Sequence, residues 1–369
     1  VIMNICKKIW LIYGLAVLLS GCGGGSNIVP QSVVGQYDYT LGSASSLSAA
    51  RSAVTNSASM SLTYDAPNGS SYSTLSHAHT TLNAGADPIA AVDTEAASAW
   101  VDGWTGKGVK IGIADSFNSN EQLDAHGDWV SIVIGSVAPE ATLNMQHVLT
   151  GYTSDIDTAY DYFEANGYHI VNNSWGIDKA ERNNSGAYTG NLISDFDGLV
   201  NDAVAAYDPT DLSSAVGLYI FAAGNGAQYC DSKRVEDCNF LAGVIDGIRD
   251  NGIDDYGSRI IFVGAIADGS DSITSYSYQA GDLKHDFIVA HDDVLSSGDA
   301  AGTSFSAPRV TGAAALVKHK FPNLNSADLK QVLLQTATDI GAAGVDEVYG
   351  YGKLNIAGAL SPIGRVTAR

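Results

Sequence analysis

Three residue types that can share the work of nucleophilic catalysis stand at separate places in the chain. Asp115 directly follows an apolar run, His126 lies eleven positions later, and Ser304 precedes a stretch of small residues. A serine hydroxyl is a poor nucleophile at neutral pH and needs a neighbouring base to accept its proton. Brought together, Ser304 would be the nucleophile, His126 the general base and Asp115 the group that orients the imidazole. Taken singly, the aspartate is an ordinary cap or loop residue and the histidine an ordinary structural one.

The elements that must position these residues can be read from the pattern of apolar runs. From about residue 87 onward, short apolar runs alternate with helical stretches, which predicts an α/β fold with a parallel sheet covered on both faces. Working sites in such sheets lie at the carboxyl ends of the strands, so the polar residues after each run are the informative ones. The predicted strands are 109–114, 142–149, 169–172, 218–222, 260–265 and 287–290, and the predicted helices include 155–166, 193–207 and one capped by Ser326 and running to about residue 337.

The string GTSFSAP at 302–308, followed by the small-residue stretch 310–316, resembles the serine signature of the subtilisin-like serine peptidases, the subtilases. The order Asp, His, Ser along the chain is also the subtilisin order. The resemblance covers about residues 85–360 and is strongest to the catalytic domains of bacterial autotransporter subtilases. It implies a subtilisin-like three-layer fold and a serine endopeptidase that works through an acyl-enzyme. Further matches are VAPEA at 137–141, NNSWG at 172–176 and GYGKLN at 350–355.

The resemblance also assigns roles around the three residues. Asn225 would donate its side-chain amide to the developing oxyanion, together with the backbone N–H of Ser304. Substrate would pair as an extra strand along one edge, and side-chain pockets would be shaped beside it. No cofactor is required for this chemistry. The edge consists of Ser174, Trp175 and Gly176, and Ala223 and Gly224 join Trp175 in shaping the pockets.

The chain departs from the family pattern near the histidine. The interval between Asp115 and His126 is much shorter than usual, which suggests a deleted surface hairpin. Trp129 replaces the second histidine of the usual string and is expected to be a packing residue, and Phe117 stands where a glycine is common. Asp128 adds negative charge near the imidazole, so we expect a raised pKa for that imidazole and an activity optimum shifted upward in pH.

Two other residues of the serine signature have expected roles. We expect Ser306 not to be the nucleophile and Arg309 to be a surface or supporting residue.

The amino-terminal segment predicts export. Lys7 and Lys8 precede an apolar run at 9–19 that is too short to span a bilayer comfortably. The string LSGC ending at Cys22 resembles the lipobox of bacterial lipoproteins, which implies cleavage before Cys22 and lipidation of that residue; the alternative is an ordinary signal peptide. The predicted organisation is a signal peptide at 1–21, a Ser/Ala-rich tether or pro-region at 22–84 and a peptidase domain at 85–369, lipid-anchored in the bacterial envelope on its periplasmic or surface face.

Net charge and cysteine content limit which partners and crosslinks the sequence predicts. The chain has 19 Lys and Arg against 40 Asp and Glu, a formal net charge of −21, which disfavours nucleic-acid binding. Cys230 and Cys238 most simply form a disulfide in an exported protein, with free thiols or a metal site as alternatives. The acidic run 250–255 is either a structural calcium site or a solvated loop, and the pair His77 and His79 is only a weak indication of metal binding.

Two other functions compete with an endopeptidase. A catalytically inactive lipoprotein could keep the subtilase fold and bind peptides, although retention of Asp115, His126, Ser304 and Asn225 argues against a degraded site. An esterase of the α/β-hydrolase type is disfavoured because the sequence G-T-S-F-S stands where G-x-S-x-G would be needed. Protein or peptide substrate is therefore the expected partner.

Overall fold

The computed structural model describes most of residues 96–362 and three short segments before them. Cys22, His77, His79 and residues 253–255 of the acidic run lie outside the described residues, so the predictions about them stay predictions. The described residues are 32–36, 62–65, 71–74, 96, 98–100, 102–117, 126–148, 153–182, 188–205, 217–252, 257–267, 270–292 and 301–362.

A seven-stranded sheet forms the centre of the described fold. Its order is β1-β5-β4-β6-β9-β10-β11, and all neighbours run parallel except β1, which pairs antiparallel with β5. The six parallel strands match the six predicted ones to within two residues, so the predicted α/β fold with a mostly parallel sheet is confirmed. β1 falls in the region predicted as a tether or pro-region. The strands of this sheet are β1 Ser32–Gln36, β4 Lys110–Asp115, β5 Thr142–His147, β6 Ile170–Asn173, β9 Leu218–Ala222, β10 Ile260–Ile266 and β11 Phe287–His291; two hairpins pair β2 Leu62–Asp65 with β3 Ser71–Thr74 and β7 Ala180–Arg182 with β8 Tyr188–Leu192.

Helices cover both faces of the sheet and create a buried core on each face, and a third, smaller hydrophobic cluster lies between two of the helices. Successive strand residues alternate between the cores: Ile220 packs into one and Phe221 into the other, because side chains of a strand point to opposite faces. α1, α6, α7 and α8 supply the first core, and α2 and α5 supply the second. The helices are α1 His126–Val137, α2 Thr153–Ala165, α3 Phe196–Ala205, α4 Val235–Cys238, α5 Phe240–Asp250, α6 Thr303–Lys320, α7 Ser326–Gln335 and α8 Ile356–Leu360.

The first residue of α7 was predicted to be its cap, and this is wrong by one position. The side chain of Asn325 accepts a hydrogen bond from the Asp328 backbone N–H at 2.8 Å, so Asn325 is the N-cap and Ser326 is the first helical residue. Asparagine and serine are comparable caps, and the adjacent pair leaves the choice to the backbone conformation. Within the described residues, every helix falls short of the length and apolarity that crossing a membrane requires.

Candidate active site

The predicted site residues meet at one edge of the sheet. β4 lies between β5 and β6 in the sheet. The chain therefore passes from β4 to β5 on one side and then crosses to β6 on the other side of β4. Such a reversal opens a crevice at the carboxyl ends of the strands. Asp115 is the last residue of β4, Ser174 directly follows β6, and Asn225 follows β9. Ser304 is the second residue of α6, whose amino end reaches the same crevice, since its neighbour Thr303 bonds to Asn225.

Asp115 and His126 are joined directly despite their short separation. Oδ1 of Asp115 lies 2.8 Å from Nδ1 of His126 and also accepts the backbone N–H of Ser116 at 2.7 Å. The N–H of Gly127 returns to the Ser116 carbonyl at 2.9 Å and closes the connection. A Cβ at Gly127 would lie 2.6 Å from the buried Phe117 ring, so the close approach needs glycine. Phe117 therefore packs into this turn, and the short interval still brings the two side chains together.

The pKa of His126 is raised above its ordinary value of 6.5. Burial alone would lower it, but the charge of the Asp115 carboxylate and its hydrogen bond outweigh burial and favour the imidazolium. Asp115 is thus sufficient to explain the rise in the His126 pKa, which the sequence attributed to Asp128. The side chain of Asp128 lies outside the described part of the structure. A base with a raised pKa reaches its neutral form only at a correspondingly higher pH.

Ser304 is held by a reciprocal pair of hydrogen bonds with Ser174. The Ser304 hydroxyl donates to the Ser174 carbonyl at 3.0 Å, and the Ser174 hydroxyl donates to the Ser304 carbonyl at 2.8 Å. The Ser304 carbonyl needs such a donor because its usual helical partner, four residues on, is Pro308, which has no N–H. The His126 ring contacts the neighbouring Phe305 ring, with centroids 5.6 Å apart. Among the described residues no hydrogen bond joins the imidazole to the Ser304 hydroxyl.

The amide of Asn225 is oriented by Thr303. Its Oδ1 accepts both the backbone N–H and the hydroxyl of Thr303, each at 2.9 Å. The Thr303 hydroxyl in turn accepts the backbone N–H of Gly224 at 3.1 Å. With Oδ1 occupied, the Nδ2 end of the amide is directed away from Thr303 as the available donor. Thr303 is a supporting residue that sequence reasoning missed, although it lies inside the GTSFSAP string.

The predicted substrate-binding residues form two adjacent segments, since β6 and β9 are neighbours. Ser174 is buried, Trp175 and Gly176 are half-buried, and the Trp175 ring packs edge-on against Phe221 with centroids 6.1 Å apart. Both backbone groups of Ala223 are already bonded: its N–H donates to Val263 at 2.9 Å, and its carbonyl accepts from Asn239 at 3.1 Å. The β9 segment can therefore supply a wall, whereas strand pairing must use the Ser174–Gly176 segment.

A buried polar cluster supports the turn after β9. Gly224 has φ +112°, and a Cβ there would lie 2.6 Å from both Asp178 Oδ1 and the Tyr278 ring. The Asp178 carboxylate accepts hydrogen bonds from Arg182 at 2.8 Å and from Tyr188. Burial and then the charge of Asp178 raise the pKa of Tyr278. The sequence offered only a weak signal for this cluster, an acid and a base four residues apart after the NNSWG string.

Two further predictions, one for a residue of α1 and one for a residue of α6, have different outcomes. Trp129 of α1 packs, partly buried, against the hydrophobic core, as expected of a packing residue. Arg309 is only 2% exposed, so the expectation of a surface residue is wrong; its place on the buried face of α6 leaves the supporting role. Ser306 is buried with no hydrogen-bond partner for its hydroxyl among the described residues. Ser304 is the serine of this string that lies beside Ser174 in the crevice.

The cysteine and metal predictions concern the region after Asn225. Cys230 and Cys238 form a disulfide, and Cys238 immediately precedes Asn239, which holds the Ala223 carbonyl. The crosslink therefore braces the segment that bonds to the crevice wall. Within the described residues, His, Cys, Asp and Glu side chains form no group of three that could hold a metal ion. The calcium prediction stays untested, because only residues 250–252 of the acidic run are described.

Comparisons with known proteins show which family the chain resembles over most of its length. The family model Peptidase S8, described as the subtilase family, matches residues 63–352, beginning upstream of the predicted boundary at 85. The chain is 41% identical over 64 residues to an "Extracellular serine protease" of Serratia marcescens, covering 17% of this chain and 6% of that protein. It is 49% identical over 73 residues to "Neisserial autotransporter lipoprotein NalP" of Neisseria meningitidis serogroup B, covering 18% and 7%.

Matches over most of the chain are more distant. "Subtilisin Savinase" of Lederbergia lenta is 26% identical over 288 residues, covering 69% of this chain and 91% of that protein. A solved structure, the "Prenylagaramide maturation protease PagA", is 18% identical with a TM-score of 0.49, covering 72% and 97%. The first two curated relatives are far longer than the aligned segments, which span 6% and 7% of their lengths.

Proposed function

Because this chain belongs to the subtilase family of serine peptidases, we propose that it is an endopeptidase that hydrolyses peptide bonds with Asp115, His126 and Ser304 as its catalytic triad. The observation that carries this proposal is the 2.8 Å hydrogen bond between Asp115 and Nδ1 of His126. That bond places the imidazole proton on Nδ1 and leaves Nε2 as the basic nitrogen. A carboxylate buried against an imidazole at the carboxyl edge of a sheet is the orienting half of a triad.

Substrate binding supplies the step that the resting geometry lacks. A peptide pairing as an extra strand along Ser174–Gly176 presents backbone N–H groups to this edge. One of these N–H groups takes the Ser174 carbonyl, which in the resting state accepts the Ser304 hydroxyl. The released hydroxyl turns to Nε2 of His126, a change expected of catalytic hydrogen bonds that tighten only in the complex.

The chemical steps then follow from the positions of the donors. His126 takes the Ser304 proton as Oγ attacks the scissile carbonyl, and Asn225 Nδ2 with the Ser304 backbone N–H stabilises the oxyanion. The imidazolium, stabilised by Asp115, gives its proton to the leaving amine as the C–N bond breaks. Water then attacks the acyl-enzyme by the same route and releases the carboxylate product. The wall formed by Ala223 and Gly224 shapes the adjacent side-chain pocket.

The proposed setting is the bacterial cell envelope. The names of the relatives include an extracellular protease and an autotransporter lipoprotein, which support an exported location. With the lipobox-like string ending at Cys22, these names favour a signal peptide at 1–21 and lipidation at Cys22. The proposed organisation continues with a tether or pro-region at 22–84 and a peptidase domain at 85–369. A chain anchored through Cys22 would act on proteins or peptides at the periplasmic or surface face.

Labelling with a fluorophosphonate tests the proposal on the full chain. Wild type and Ser306→Ala should be labelled, while Ser304→Ala should not, since only Ser304 is expected to be nucleophilic. Turnover of casein in preference to a short ester would then distinguish a peptidase from an esterase. Folded wild-type protein that resists labelling would contradict the proposal and favour the inactive peptide-binding alternative.

A further inference from the structure

A cavity of about 570 Å³ opens at the edge of the sheet opposite the crevice. His169 lies just before β6 and Arg259 just before β10, so both mark the amino ends of parallel strands. Lys318 from the last turn of α6 and residues 324–327 and 329 at the start of α7 are also part of the lining. The catalytic side chains follow the carboxyl ends of the strands, so the two sites are separated by the length of the sheet.

The charge of this cavity is opposite to that of the protein. His169, Arg259 and Lys318 are its ionisable side chains apart from the Tyr168 phenol, and none of its lining residues is acidic. The chain as a whole carries a net charge of −21. Nη1 of Arg259 is buried and has no hydrogen-bond partner among the described residues. A buried guanidinium N–H without an acceptor is costly, so its position indicates that an anionic acceptor belongs there.

Lys318 and His169 are held in place by backbone groups. The Lys318 ammonium donates to the carbonyls of Pro322 at 2.8 Å and Leu324 at 2.6 Å, and both of these acceptors are uncharged. Nδ1 of His169 accepts the Lys110 backbone N–H at 3.0 Å, which leaves a proton for Nε2. Burial lowers the pKa of Lys318; for His169, burial and then the charges of Lys318 and Lys110 lower it. Burial and the neighbouring cations thus disfavour positive charge on these two groups, and a bound anion would offset both effects.

Glu164 and Arg259 act in opposite directions on Tyr219. Glu164 accepts the Tyr219 hydroxyl at 2.9 Å, and the charge of Arg259 opposes the rise in the Tyr219 pKa that burial and Glu164 cause. The amino end of α7 adds the positive end of a ten-residue helix to the lining. Apolar surface comes from Tyr168, Leu324 and Leu329, and the volume falls within the range of small-molecule sites, roughly 300–1,000 Å³.

We propose that this cavity is a binding site for a small phosphate monoester that carries an apolar substituent. The phosphate oxygens accept from Arg259, from Nε2 of His169 and from Lys318, and the substituent packs against Tyr168, Leu324 and Leu329. A guanidinium matches the paired oxygens of phosphate, and the surrounding donors satisfy the rest. The site is independent of the peptidase chemistry, because the reacting groups lie at the other edge of the sheet.

Isothermal titration of the full chain with phenyl phosphate tests this proposal. Arg259→Gln should weaken binding at least tenfold, whereas Lys107→Gln, which changes a cation that is 72% exposed elsewhere, should leave it within twofold. Vesicles containing phosphatidic acid form a second arm, because a lipid headgroup presents the same phosphate monoester; binding there alone would assign a lipid source. Equal weakening by both variants, or saturable binding to neither probe, would overturn the proposal.

A second measurement does not depend on a variant that folds. The pKa of the His169 ring, followed by NMR in the wild-type chain, should rise by about one unit or more when phenyl phosphate saturates the site, since an anion offsets Lys110, Lys318 and Arg259. Benzene sulfonamide, an uncharged ring of similar size, should leave that pKa unchanged. An unchanged His169 titration with bound phenyl phosphate would place the ligand elsewhere and overturn the proposal.

Discussion

Ser174 and Ser304 exchange two hydrogen bonds across the crevice, hydroxyl to carbonyl in each direction. The exchange rests on Pro308, which cannot supply the helical N–H that the Ser304 carbonyl would otherwise accept. It continues into the core, where Asn172 donates to the Ser174 hydroxyl at 2.9 Å and Thr311 donates to Asn172 at 2.8 Å. A buried polar chain therefore ties the first turn of α6 to the end of β6.

Replacing Ser174 with alanine should loosen this connection. Ser174→Ala leaves the Ser304 carbonyl and the Asn172 amide without their buried partner, so the free energy of unfolding should fall by about 1–3 kcal/mol. The turnover number should fall severalfold, because the nucleophile loses part of its support. Urea unfolding and peptide hydrolysis measure the two effects. Ser194→Ala, at an exposed position, is the control. Equal stability of the two variants would show that the buried chain of hydrogen bonds contributes nothing to the free energy of unfolding.

Removing the amide of Asn225 should act on the transition state. Asn225→Ala should lower kcat by about 10²–10³-fold with little change in KM, since the oxyanion forms only after binding. Steady-state kinetics on a peptide substrate separates the two constants. An unchanged kcat, or a loss confined to KM, would exclude an oxyanion role for Asn225.

Thr303 provides a matched comparison for that prediction. Thr303→Ser keeps the hydroxyl that holds Oδ1 of Asn225, whereas Thr303→Val removes it and keeps the branched shape. We expect Thr303→Ser to retain most of the activity and Thr303→Val to lose about tenfold in kcat, the equivalent of one ordinary hydrogen bond. Similar losses in the two variants would mean that shape, not amide orientation, is the contribution of Thr303.

The acidic limb of the pH–rate profile should report on Asp115. His126 must be neutral to act as a base, and its pKa is raised above 6.5, so the limb of kcat/KM should lie above 6.5 in the wild type. Asp115→Asn removes the charge that raises this pKa and leaves the burial that lowers it. The limb should therefore move to lower pH, while kcat falls by on the order of 10⁴-fold.

Asp128→Asn distinguishes the two possible sources of the shift. The sequence indicates that Asp128 favours the imidazolium, whereas the structure shows Asp115 in direct contact with it. We expect a smaller downward shift, or none, from Asp128→Asn, with activity retained. A limb at or below 6.5 in the wild type would contradict the raised pKa altogether.

The sequence predicted the sheet well because its strands are buried on both faces. Runs such as 218–222 and 260–265 contain no polar or charged break, a pattern typical of a strand that is covered on both faces. β1 was not predicted, since the string SVVGQ is short and its pairing with β5 depends on a partner more than a hundred residues away. Strand existence follows from local composition, whereas a distant antiparallel edge does not.

The triad types could also be predicted, but their supports could not. Thr303, Asn239 and Asp178 act through backbone and side-chain contacts between segments that only the fold brings together. Arg309 was expected at the surface as an alternative because charged residues are rarely buried, yet it is 2% exposed on α6. A one-dimensional pattern gives a residue's type and period, and it does not give the partners that make burial of a charge tolerable.

Glu236 should make the stability of the chain depend on pH in a definite window. Its side chain is 5% exposed, and burial raises its pKa from 4.5 to about 7, although the Asp282 backbone N–H and Arg234 oppose the rise. An acid whose folded pKa is raised stabilises the fold below about pH 4.5, and this contribution is lost as pH rises through about 7. Glu236→Gln should remove the loss, so its stability relative to wild type should grow by on the order of 2 kcal/mol between these limits.

Urea unfolding of wild type and Glu236→Gln at a series of pH values measures that difference, and contributions from His126 and other groups cancel because both proteins share them. Asp231→Asn changes an exposed acid five residues before Glu236 and should run parallel to wild type across the window. A Glu236→Gln curve parallel to wild type would mean that Glu236 ionises as readily in the folded chain as in the unfolded one. In that case the charge of Arg234 and the backbone hydrogen bonds would fully offset the effect of burial on the Glu236 pKa.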